Sequence, residues 1–153
     1  MSYDSRKDTV EHIDMVKFML GEICGKLFVR ATEHDASKLE PPEKPIFDEY
    51  TPKLKGSTYG SEEYKQHLAE MKVALDHHYA ANGHHPDHFE GGINEMTLID
   101  LIEMLCDWKA ATLRHANGDM IKSININKDR FKMSTQLTDI LLNTVYAMEW
   151  QGK

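Results

Sequence analysis

Thr97-Leu98-Ile99-Asp100-Leu101-Ile102-Glu103-Met104-Leu105-Cys106-Asp107-Trp108 decides the class of this fold. Thr97, with Asp100 three residues later, makes a capping box with aspartate as its acid, and Met96 can staple onto Leu101. The apolar residues that follow recur at helical rather than alternating spacing. A helix is therefore expected from residue 97 to about 116, stopped by Asn117-Gly118. Asp100, Glu103 and Asp107 fall on one face of it. Either that face is simply solvated, or Asp107 is a metal ligand oriented by Glu103, because a carboxylate among apolar neighbours needs a partner once buried.

Working outward, the chain stays helical. Residues 9–29 carry the stripe Ile13, Val16, Leu20, Ile23 and Leu27, with His12 on or beside it, and Gly21 and Gly25 either weaken this helix or allow close packing. Pro41, Pro42, Pro45, Pro52, Gly56 and Gly60 punctuate residues 40–60, which read as a loop with room for only short helical pieces, its length favouring a lid or pocket wall. Ser61 can cap a helix to about residue 81, with Glu62 and Glu63 in its first turn, and Asn82-Gly83 reads as a left-handed stop. A last helix starts near Ser134. Residues 123–127 alternate too briefly to set the class. The expectation is an all-α fold: one domain over residues 1–153, a helical bundle with a metal site between helices.

The 153 residues carry a formal charge of −7. That argues against a duplex nucleic-acid or anionic-membrane binder, which needs a basic face. A small phosphorylated substrate stays open, because a bound cation inverts the local field. The N-terminus lacks a signal-peptide apolar stretch and no apolar run is long enough to span a bilayer, so the cytoplasm is the expected location. Cys24 and Cys106 sit in apolar helical patterns and read as reduced core thiols, which disfavours a thiolate zinc site or a disulfide framework.

The chemistry concentrates in histidines. His77, His78, His84, His85 and His88 place five imidazoles in twelve positions. Imidazole and carboxylate together are ligands for first-row divalent metals. His77 and His78 lie about 100° apart on a helix, so one of them is expected to face a site. His84 and His85 follow the turn and can fold back, whereas His88 reads as an exposed loop residue. His67, about 16 Å before His78 along a helix axis, cannot share an ion with it, and His115 lies too far beyond Asp107. His34-Asp35 gains weight from Ser37-Lys38, because Lys38 falls one turn after Asp35 and can reach the same cavity; the bland alternative is a surface turn. His12 taken alone is more often a buried histidine bonded to a carbonyl. There is no His-Glu-x-x-His, no glycine-rich phosphate loop, and no serine or cysteine nucleophile beside a base.

Taken together, His12, His34-Asp35 and Asp107 resemble the H…HD…D signature of the HD-domain metal-dependent phosphohydrolase superfamily. His34-Asp35-Ala36-Ser37-Lys38 resembles the HD-x-x-K version. The run from His77 to Pro86 is similar to the HHExxDGxGYP segment of HD-GYP phosphodiesterases, with Tyr79, Asn82 and His85 replacing Glu, Asp and Tyr; those departures argue against cyclic-di-GMP as substrate. Over nearly its whole length the chain also resembles a family of small HD-like proteins of phage and bacterial genomes.

The resemblance implies a phosphohydrolase acting on a nucleotide, cyclic nucleotide or other small phosphate ester, with metal-activated water as nucleophile. One or two ions (Mn, Fe, Ni, Mg or Zn) are implied. His12, His34, Asp35 and Asp107 would hold the first, and Asp35 would bridge to a second held by His78 and His84 or His85. Lys38 and Arg114 would neutralise phosphoryl charge. The same ligand set fits an HD-type di-iron oxygenase. A non-catalytic helical protein, stabilised by metal or binding a partner through its nine methionines, is the third alternative, although Met15, Met71 and Met104 fall on expected core stripes. The partners expected are a small phosphorylated substrate, no duplex nucleic acid and no membrane; a homo-oligomer is compatible. Because ligation needs neutral imidazoles, metal binding is expected to weaken as pH falls toward about 6.

Overall fold

Helix boundaries follow the chemistry of their first turns. In the computed structural model, which describes residues 3–57, 61–114 and 118–152, Ser61, Thr97, Asp119 and Ser134 each accept a backbone N–H three residues on. At Thr97 the capping box is complete: the Thr97 N–H donates to Asp100 Oδ2 at 2.9 Å and the Asp100 N–H to Thr97 Oγ1 at 3.3 Å. Met1, Gly60, His115, Ala116 and Asn117, on which parts of the sequence reading fell, lie outside the described residues.

The fold is all-α. Among the described residues there are seven α-helices and no strand: α1 (Arg6–Glu33), α2 (Glu43–Gly56), α3 (Glu62–Glu70), α4 (Lys72–Ala81), α5 (Leu98–Leu113), α6 (Met120–Arg130) and α7 (Thr135–Ala147). Short 3-10 turns occupy Ala36–Leu39, Pro86–His88 and Gly92–Glu95. No helix among the described residues is long and apolar enough to cross a membrane.

The chain divides into two compact units, Met1–His34 and Asp35–Lys153. The first is α1 with its lead-in, where Asp4 Oδ1 accepts the Arg6 N–H at 3.0 Å. The second is a helical bundle whose core joins Met104 and Leu105 of α5, Met120 and Ile124 of α6, and Leu141 and Val145 of α7. Trp108 and Phe131 stack at its edge with centroids 6.3 Å apart. Met71 and Ala74 are buried where α3 gives way to α4.

Several expectations are corrected. Residues 43–56, expected within a loop, form the helix α2. Pro45 is its third residue, where the missing N–H would have had no intrahelical acceptor anyway. Pro52 does remove an interior bond, and α2 tolerates it while held to α4 through Glu43. The helix over 61–81 breaks at Met71 (φ −81°, ψ 0°). Asn82 ends α4 in extended, not left-handed, backbone (φ −122°, ψ 103°). Residues 123–127 are helical, within α6. Cys24, Cys106 and Met15 are exposed rather than in the core.

Two substitutions test this packing by urea unfolding. Ile124, which is 0% exposed, fills the α5–α6–α7 core, so Ile124→Ala should cost about 2–5 kcal/mol. A Cβ at Gly118 would overlap the Thr112 carbonyl, while one at Gly56 would meet nothing within 4 Å. Gly118→Ala should therefore cost about 1–3 kcal/mol and Gly56→Ala should not destabilise; equal effects would contradict the tight α5–α6 junction.

Candidate metal centre

The centre begins at Asp35, which opens the turn Ala36–Leu39 in the left-handed region (φ 57°, ψ 14°). Aspartate is one of the few residues that adopts this conformation at modest cost, and it persists where its surroundings over-determine it. The turn returns Lys38 toward Asp35. The Lys38 N–H donates to the Asp35 carbonyl at 2.9 Å and Lys38 Nζ to Asp35 Oδ2 at 2.6 Å. The ammonium also lies 5.4 Å from the centroid of the Phe47 ring.

Two imidazoles meet the other oxygen of Asp35, and a third meets one of them. His78, in the last turn of α4, is 2% exposed, and its Nε2 lies 3.3 Å from Asp35 Oδ1. His84 is 1% exposed, with Nε2 3.5 Å from the same oxygen. His85 Nε2 is 2.8 Å from His78 Nε2. One ligand atom from each of Asp35, His78, His84 and His85 lies within 4.8 Å of all the others. The chain returns on itself to achieve this. Extended Asn82 donates its amide to the His78 carbonyl and to Ser37 Oγ, both at 2.8 Å. His88 Nδ1–H donates to the Tyr79 carbonyl at 2.8 Å, pinning the turn Pro86–His88 onto α4.

The outer faces of two of these rings meet carboxylates. His84 Nδ1 is 3.1 Å from Glu103 Oε1, and His78 Nδ1 is 2.9 Å from Glu43 Oε2. An ionised carboxylate only accepts, so a proton on Nδ1 satisfies Glu43 or Glu103 and leaves the Nε2 lone pair for a cation at Asp35. This carboxylate–histidine arrangement is the usual outer support of a metal-binding imidazole. Glu103, expected to orient Asp107, faces His84. Asp107 nonetheless brings a carboxylate oxygen within 4.8 Å of one from Asp35. The donor set of three imidazoles and a carboxylate can hold a first-row divalent cation.

The other candidates lie on several elements. His12 lies on α1 and His34 is that helix's C-cap (φ −50°, ψ 123°), both in the first unit; His34 is peptide-bonded to Asp35. Arg114 is the exposed C-cap of α5. His77 is 46% exposed and bonds Glu43 through Nδ1 at 2.7 Å. His67 sits between Glu63 and Glu70 at 3.8 and 3.7 Å. Glu43, Ser37 and Asn82 escaped the sequence reading as parts of the centre. No local signal marks Glu43, because it lies in a proline-rich stretch and its partners are 34 and 35 residues away.

Burial favours the neutral form of His78 and His85. Burial, reinforced by the charges of His84 and His78, depresses His85 to about 3. Burial and the Lys38 ammonium also lower His78, against the opposing pull of Asp35 and Glu43. Protons therefore compete for these nitrogens less than for ordinary histidines, which moves the expected loss of metal binding to lower pH than about 6. The same shift sets a stability trend. The unfolded chain takes up a proton at His85 near 6.5 while the folded chain resists it until about 3. Stability is full above 6.5 and declines as pH falls through that window. Metal-free protein should melt at progressively lower temperature from pH 7 to pH 4.5, and His85→Gln should flatten the slope; identical slopes would contradict this environment.

The family described as "Family of unknown function (DUF5662)" has a model that matches residues 1–147. No curated protein and no solved structure matches the chain. A match over 147 of 153 residues covers both units and every donor of the centre, and the chain belongs to this family of unknown function, DUF5662.

Proposed function

We propose that the protein is a metal-dependent phosphohydrolase whose centre is built on Asp35, His78, His84 and His85. The observation that carries this reading is the convergence of buried Nε2 atoms on Asp35 Oδ1 while Lys38 holds Oδ2 of the same carboxylate. Ligand nitrogen, ligand oxygen and a fixed ammonium then share one small space, which is what binding a phosphate ester beside a cation requires. Three nitrogens to one carboxylate favour Mn, Fe, Ni or Zn over Mg, which prefers oxygen ligands. Asp107 fits as a further ligand from α5. The resemblance to the HD superfamily adds His12 and His34 as ligands.

A bound divalent ion supplies Lewis acidity and makes water acidic enough to act as a nucleophile near neutral pH. Asp35 orients that ion. Glu43 and Glu103 hold His78 and His84 in the tautomer that offers Nε2. Lys38 can exchange part of its bond with Asp35 for a phosphoryl oxygen, with Arg114 as a second cation by the same resemblance. The substrate expected is a nucleotide, cyclic nucleotide or other small phosphate ester.

The nitrogen-rich donor set also favours iron, and this sustains a second reading as a di-iron oxygenase. Metal-dependent phosphate release without oxygen uptake supports the hydrolase; oxygen uptake with two irons per chain supports the oxygenase. Asp35→Asn is the direct test, because asparagine keeps the left-handed backbone and removes the charge. Across a panel of phosphate esters with Mn, Ni or Zn, the wild type should turn over at least one, and the variant should lose at least about 100-fold, more than loss of an outer carboxylate costs. Equal rates would contradict the proposal. Chelation should abolish activity while leaving the far-ultraviolet circular dichroism helical; unfolding on chelation would instead indicate a structural ion.

A further inference from the structure

Glu43 is 0% exposed, yet it belongs to none of the ligand positions. Its two oxygens fork between adjacent histidines of α4: Oε1 is 2.7 Å from His77 Nδ1 and Oε2 is 2.9 Å from His78 Nδ1. The Ser37 hydroxyl adds a further hydrogen bond to it. With a ring nitrogen on each oxygen, a carboxylate here accepts on both branches; Asn82 Nδ2 also lies 3.1 Å from His78 Nδ1 but directs its two N–H groups to the His78 carbonyl and Ser37 Oγ.

We infer that Glu43 is the positioning residue of the metal centre: its forked carboxylate fixes the tautomer and ring plane of His78, with His77 as the second anchor of the fork. This rests on the metal-binding reading and deepens it. Only a carboxylate accepts at both branches. A glutamine of the same shape offers one acceptor and one donor, so it satisfies His77 or His78 in the present tautomer but not both. The ring left facing the amide N–H must present a lone pair at Nδ1, which puts the proton on Nε2. For His78 that proton would occupy the position facing Asp35, where a cation should bind. The location of Glu43 at the start of α2 gives that helix a role beyond packing: it delivers a rigid carboxylate to the outer side of a ligand.

The test uses the full chain and cobalt(II) as probe. Competition against a chromophoric chelator at neutral pH should show Glu43→Gln binding cobalt about 10–100-fold more weakly than the wild type. Its visible cobalt band should shift, with unchanged helical circular dichroism. Equal affinity and an unchanged band in the two proteins overturn the positioning role while the metal centre stands. A wild type that binds no cobalt overturns the centre and the role of Glu43 with it. If Glu43→Gln fails to fold, nitrogen-15 imidazole spectra of the metal-free wild type decide. A proton on His78 Nδ1 supports the inference and a proton on Nε2 overturns it.

Discussion

A buried imidazole has two nitrogens, and each must meet a group suited to its protonation state. At His78 and His84 the outer nitrogen meets a glutamate, Glu43 or Glu103, and the inner nitrogen meets Asp35 Oδ1. This two-sided constraint organises the second unit. It requires α2 to begin at Glu43, α5 to present Glu103 inward, and the chain after α4 to double back so that His84 and His85 reach the face His78 occupies. Left-handed Asp35 and extended Asn82 are the backbone conformations that let those segments meet.

The charges explain why such a cluster would hold a cation. Asp35, Glu43, Glu103 and Asp107 bring carboxylates to one region of a chain already at −7, and Lys38 meets one of them directly. Rings held neutral by burial add lone pairs rather than positive charge. A divalent ion would relieve repulsion among the acids and use lone pairs that burial keeps unprotonated, so folding and ion binding reinforce each other.

Much of this was legible in the sequence where the signal is local. Ser61, Thr97 and Ser134 announced their helices because capping is a contact over three residues, and the choice of one ring from His77-His78 follows from helical geometry alone. His84 and His85 folding back toward His78 was expected from the turn between them. What escaped depends on distance or on context. The prolines of residues 40–60 masked α2, since proline in a first turn costs nothing and the packing of α2 on α4 is invisible locally. The brief alternation in 123–127 concealed α6, whose apolar Ile124 is buried by tertiary contact. Glu103 was read as a partner of Asp107 because sequence shows the two sharing a face, but not that His84 meets Glu103. Glu43 could not be found at all from its neighbours.

The most direct measurement is X-ray absorption at the metal edge of the zinc-loaded protein. The account predicts a first shell of nitrogen and oxygen at about 2.0–2.1 Å, with outer-shell scattering from three imidazoles. An ion lacking imidazole scattering, or one bound by thiolate at about 2.3 Å, would contradict it.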